Sequence, residues 1–307
     1  MSAATPITLG ETGLFDPTAP LTPSGNLRRR GVINRFVHVT ATAAAFAAVA
    51  VLAIVVVSVA VHGASSLSLG FVVHNPQGLA AGGIANMLLG TLEIVAAATV
   101  IALPLGILTG LYLTEFAGPR ARTARFLKLA LDIMQGLPTI VVGLFVYGLI
   151  VIPTHQESGF AGAVALSIVM LPLIARASQE VLLLVPGTLR EAADALGVNR
   201  WRTVLTVILP AAIGGIVTGA ILAIARAAGE TAPLLICDNI YNQTSTSFNL
   251  FHGVPSVPMF IYTSYDLPLT QAVARAWGAA LVLVIFILLA NFGARVLLAR
   301  SRAKMGR

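Results

Sequence analysis

Two stretches place charge inside otherwise apolar sequence: ARAAGETAPLL, with Arg226 and Glu230, and RASQE, with Arg176 and Glu180. In each pair the residues are four apart, so on a helix they share a face about one turn apart and can neutralise one another. A single charge at the centre of a bilayer costs roughly 2.5 to 3.5 kcal/mol even on a lenient insertion scale. One chemistry that repays this cost is an anion route, which needs fixed positive groups or helix N-termini along a low-dielectric path. Arginine suits it, because its planar fork donates two parallel hydrogen bonds to an oxyanion and does not lose its proton. The plainer alternative is a latch that fixes helix packing, with burial offset by mutual hydrogen bonds. Spacing alone leaves both open. By helical rise, Arg226 is expected roughly 20 to 25 Å, and Arg176 roughly 10 to 15 Å, from the cytoplasmic end of its span.

The elements that must position these groups are membrane helices. Of 307 residues, 57% are hydrophobic and 10% charged, and the mean hydropathy is +0.90, which excludes a soluble globule. A helix crosses the hydrocarbon with about 20 apolar residues, and six candidate spans lie near 36–61, 85–113, 127–152, 159–184, 211–236 and 272–294. The period-2 alternation of a membrane barrel is absent. The expected fold class is all-α, polytopic, with six transmembrane helices. Arg28, Arg29, Arg30 and Arg35 precede the first span; Arg120, Arg122, Arg125 and Lys128 surround the second loop; Arg190, Arg200 and Arg202 lie in the fourth; Arg295, Arg300, Arg302, Lys304 and Arg307 follow the last. The first, third and fifth loops have no Lys or Arg, so both termini are expected in the cytoplasm. The net charge of +7 thus reads as topology rather than nucleic-acid binding. Residues 1–27, rich in Pro, Thr and Gly without a basic n-region, read as a disordered cytoplasmic tail, not a signal peptide. Residues 28–307 then form the transmembrane domain. Glu93 and Asp132 read as interfacial, and Arg275 as snorkelling to the outer interface. Pro104, Pro138, Pro172 and Pro233 are expected to interrupt helices, whether along a pathway or as ordinary kinks.

The fourth loop, PGTLREAADALGVNRWRTVLTVILP over 186–210, has a short helical run at 189–196, a break at Gly197 and a second amphipathic run entering the fifth span. Pattern alone describes an amphipathic connector on the cytoplasmic face. Glu191, Ala192, Ala193, Gly197 and Pro210, with the glycine six and the proline nineteen positions after the glutamate, resemble the EAA loop of bacterial ABC-importer permeases. GLPTIVVGLFVYG at 136–148, ARAAGETAPLL at 225–235 and VPMFIYTSYDLPLTQAVARAWGAALVL at 257–283 resemble the A-type permeases of phosphate-specific (Pst) ABC transporters. The resemblance covers roughly residues 30–300. It implies a type I importer permease in the bacterial inner membrane, forming half of a pathway for inorganic phosphate. It also implies a second homologous permease, two copies of an ATPase that uses ATP and Mg²⁺, and an extracytoplasmic phosphate-binding protein. Glu191, Ala192, Ala193 and Gly197 would dock the ATPase, and Arg226, Glu230, Arg176 and Glu180 would line the pathway.

The chain itself is not expected to hold a cofactor. A P-loop requires lysine after glycine, and neither Lys128 nor Lys304 follows one. HExxH, GxSxG and cysteine-histidine metal spacings are missing as well, so an embedded enzyme fits poorly. Two alternatives stay open: a permease for another solute, such as a sulfate-like oxyanion, an amino acid or a peptide, and a secondary anion transporter. The second has no need of an EAA loop.

Overall fold

The computed structural model describes residues 25–78, 81–118, 121–239 and 248–305. Two units divide the chain, Met1–Val57 and Ser58–Arg307. Helix α1, Gly25–Ala64, supplies the described part of the first unit and continues into the second. Every side chain from 29 to 57 is exposed, and residues 43–57 are apolar all round, so the surroundings of that stretch must be hydrocarbon or other apolar groups. Of the tail expected at 1–27, residues 1–24 lie outside the described residues, and the last three already belong to α1.

In the second unit α2, Leu69–Val73, precedes α3, Ala85–Leu111, which a π turn extends through Tyr112–Phe116. Next come α4, Arg122–Gly136, and α5, Thr139–Val146, with a π turn and α6, Ile152–Thr154, completing the segment. Then follow α7, Gly159–Leu183, and α8, Gly187–Ala195. Helix α9, Arg200–Thr203, passes through the π turn Val204–Ile208 into α10, Leu209–Ala227. The chain ends with α11, Ala232–Cys237, α12, Val257–Tyr265, and α13, Thr270–Met305. Among the described residues, five segments are long and apolar enough to cross a membrane, and α4 with α5–α6, bent by 104°, is a sixth when the bent pair is taken as one span. No strand occurs among the described residues.

The fifth span departs from its expected limits. It runs from Arg200 to Ala227, beginning earlier because α9 and its π turn join α10 without a break ahead of Pro210. It ends earlier because Gly229 and Pro233 stop it, Pro233 taking a first-turn position of α11, where a missing N–H costs nothing. Pro104 and Pro172, expected as interruptions, lie inside α3 and α7, which continue through them.

Helix α7 is central, packing against α3, α4, α5, α10 and α11. Ile94, Leu166, Met170 and Ile174 are fully buried at its contact with α3. Lipid tails are as apolar as leucine, so close backbone approach has to hold such helices together. A Cβ on Gly106 would come within 2.8 Å of Ile174 Cβ, and one on Gly110 within 2.8 Å of Ser178 Cβ. Larger residues there would push the pair apart.

Arg275 does not snorkel. It is 6% exposed, donates from Nη2 to the Gly83 carbonyl at 3.2 Å, and sits 5.2 Å from the centre of the Phe260 ring. The irregular turn before α3 leaves carbonyls that need donors, and this guanidinium supplies them from α13.

Candidate functional site

The site is built around a broken span. Pro138 lacks an N–H and disfavours helical geometry at the preceding residue; Leu137 is extended, with φ −71° and ψ 133°. Helix α5 therefore starts afresh in mid-span, with the Val141 amide donating to the Pro138 carbonyl at 2.9 Å and the first turn carrying partial positive charge. Beside this start lies a cavity of about 220 Å³, bounded by Gln135, Leu137, Thr139, Val169, Pro172 and Arg226 among others. That is several times the roughly 30 Å³ a water occupies, which is room for a tetrahedral oxyanion. Pro233 closes over α5 from the GETAPLL stretch, its Cα 3.0 Å from where a Gly143 Cβ would be. The Cys237 thiol donates to the Gly143 carbonyl at 3.3 Å. Two stretches far apart in sequence thus pack directly together.

Arg226 and Glu230 do pair, Nε to Oε1, at 3.5 Å, although α10 stops between them. The arginine side chain is 61% exposed and the glutamate 18%, which is not the geometry of a buried latch within this chain. Arg176 does not pair with Glu180. It pairs with Asp132 on α4 and donates to Gln179 Oε1 at 3.3 Å, while Glu180 is exposed. Arginine preceding glutamate is the weaker order for an i,i+4 pair, and the packing of α4 on α7 offers a closer carboxylate. Asp132, read as merely interfacial, is therefore part of the cluster. Gln135, one turn further along α4, donates to the Pro172 carbonyl at 3.4 Å.

The fourth loop has the helix, the break and the second helix expected of it. Gly197 takes a left-handed φ of +68°, and the Gly197 and Val198 amides donate to the Asp194 and Ala193 carbonyls at 3.0 Å each, a Schellman closure that favours glycine. Asn199 Oδ1 then caps α9 by accepting from the Trp201 amide at 3.1 Å. Glu191 and Ala192 are exposed, Ala193 is buried, and Leu196 stands 82% exposed. On the inward side, Arg190 Nη2 and Nε contact Glu115 at 2.6 and 3.1 Å. Hydrogen bonding to Glu115 holds the Arg190 pKa above its ordinary value. Sequence reasoning missed Glu115. A lone carboxylate ending an apolar run looks like any interfacial acid, and its partner is 75 positions away.

Residues 102–305 match a family model described as binding-protein-dependent transport system inner membrane component. The phosphate transport system permease protein PstA 1 of Mycobacterium tuberculosis (strain CDC 1551 / Oshkosh) is 42% identical over 219 residues, 71% of each chain. PstA of Yersinia pestis is 40% identical over 237 residues, 77% of this chain and 79% of that one. The chain belongs to this family of transport permeases. Among solved structures, an inward-facing MetNI methionine ABC transporter shares the permease's fold, with TM-score 0.56 and 22% identity, covering 71% of this chain and 94% of that one. The permease is a multi-pass inner-membrane transport subunit, not an enzyme.

Beyond the cavity, the loop that follows α11 is stitched to the start of α7. The Ser158 amide donates to the Cys237 carbonyl at 3.0 Å and the Gly159 amide to the His252 carbonyl at 2.9 Å. Asp238, 1% exposed, accepts from the Val254 amide at 2.9 Å. Burial pushes its pKa from 3.8 up to about 7, with Glu157 adding repulsion. Burial likewise pushes the Cys237 thiol up to about 12, which keeps it unreactive.

Proposed function

We propose that this permease carries inorganic phosphate and forms half of the pathway, with a second homologous permease supplying the rest. The carrying observation is the cavity shared by Arg226 and the N-terminus of α5. A fixed cation and the positive end of α5 meet where the span breaks, an arrangement that favours an anionic substrate at membrane depth. Phosphate is the substrate of the transport systems to which this permease's relatives, about 40% identical, belong. Arg176 with Asp132 provides a second cationic position on α7, closer to α8. Glu230 keeps Arg226 from holding the anion too tightly, since conduction needs release as well as entry.

In this reading both termini and α8 face the cytoplasm, as the distribution of basic residues favours. An external phosphate-binding protein delivers the anion. Two copies of an ATPase, using ATP and Mg²⁺, dock on α8 through Glu191, Ala192, Ala193 and the turn at Gly197. The exposed Leu196 beside this turn suits burial in a partner's groove. The test is uptake by vesicles containing the chain and its co-purifying partners, with phosphate and sulfate compared. ATP-dependent uptake that prefers phosphate is expected. Preference for sulfate would replace the substrate, and uptake without the ATPase would replace the class.

A further inference from the structure

The second use of charge in this molecule lies far from the cavity. Glu115 ends the span of α3 inside a π turn, with 2% of its side chain exposed. Both its oxygens are taken by one guanidinium, that of Arg190 on α8. The same guanidinium donates to the Leu182 and Val185 carbonyls, at 3.1 and 2.8 Å, where α7 ends. One side chain therefore ties α8 to the last turns of two spans. The π turn is held from another side too: Phe116 packs on Trp201 with ring centres 4.4 Å apart.

These contacts differ in kind from the rest of the loop. Dispersion contacts permit sliding, whereas a bidentate pair with two further carbonyl bonds specifies orientation as well as distance. Besides Arg190, the covalent links at 184–186 and 196–199, packing against α9 and the buried Ala193 hold α8 to the spans. Helix α7 in turn carries Val169, Pro172 and Leu173 in the cavity wall, and it is locked to α3 at Gly106 and Gly110.

We propose that Arg190, acting through Glu115, is the positioning residue that makes α8 and the adjoining ends of α3 and α7 move as one body. Displacement of α8 is then delivered to the cavity wall rather than absorbed by the loop. This rests on the reading of α8 as the ATPase-docking element.

The test uses the full complex in proteoliposomes with loaded binding protein, measuring ATP hydrolysis and phosphate transported per ATP. Arg190→Gln and Glu115→Gln are expected to retain hydrolysis while transport per ATP falls about tenfold, within the usual range of a coupling free energy. Arg190→Lys, which keeps the charge and loses the fork, should recover part of it. A simply structural role would instead lower the amount of assembled complex and leave that ratio unchanged. Wild-type transport per ATP in assembled Arg190→Gln overturns the proposal. If that variant fails to assemble, spin labels at Leu108→Cys and Ala195→Cys, with Cys237→Ser, decide in the otherwise wild-type complex. One distance common to the nucleotide-free and ATP-bound states is expected, and a shift between them overturns the proposal. Gly197→Trp separates the two failures: if it uncouples and Arg190→Gln does not, only the strut falls. If both couple normally, the docking reading falls with it.

Discussion

At Arg226 the exposure decides how the charge is read. A latch would bury both partners, yet here the arginine is 61% exposed and the glutamate 18%, at a loose 3.5 Å. The carboxylate approaches the guanidinium at Nε and restrains it without a close hydrogen bond. Changing Arg226 and Glu230 to Gln together avoids stranding one ion, so the double variant is expected to assemble at wild-type abundance. Its phosphate uptake should fall at least about tenfold, in line with the roughly 1.5 to 3 kcal/mol of a hydrogen bond to a charged group. Arg226→Lys should lose part of this, since charge remains and the fork does not. Uptake near the wild-type rate in the double variant would leave the pair as packing.

Among the elements, the described residue that follows α11, Asp238, carries a proton whose loss is coupled to its buried packing. Asp238 holds its proton up to about pH 7, against 3.8 for an ordinary carboxyl, so this carboxyl binds its proton more tightly in the folded than in the unfolded chain. The stability this contributes is complete below 3.8 and lost as pH rises through about 7. Glu157, which accepts from the Asn239 amide, adds to the repulsion. The Val254 hydrogen bond works in the opposite direction, favouring the ionised form. Hydrogen exchange at the Val254 amide, corrected for intrinsic rate, should show protection falling between about pH 5 and 8. Asp238→Asn should flatten that profile, and an unchanged slope in this variant would assign the effect to another group.

For the whole molecule, the arrangement of spans makes one prediction independent of substrate. Ser68 and Gln156 are exposed in loops without Lys or Arg, and Thr188 and Ala195 are exposed on α8. Single cysteines at the first two, with Cys237→Ser, should react in intact cells with an impermeant thiol reagent, and those on α8 should react only after lysis. Labelling of Thr188→Cys from outside would invert the topology and remove α8 from contact with any cytoplasmic ATPase.

Span count, helical class and the character of the fourth loop were legible in the sequence because they are local. Apolar run length, the distribution of basic residues and the glycine that α8 needs at its left-handed end each act within a few turns of chain. Arg226 and Glu230 were legible for the same reason, being four positions apart. The partners of Arg176 and Arg190 were not. Asp132 and Glu115 lie 44 and 75 positions away from them, and their proximity depends on how α4 crosses α7 and where the π turn of α3 ends. The 104° bend at Pro138 belongs to the same class, since proline sits inside α3 and α7 without ending them. Inside a helix, proline removes one hydrogen bond. Whether the helix continues or turns aside depends on the neighbours packed against the gap, and only the tertiary structure sets those neighbours in place.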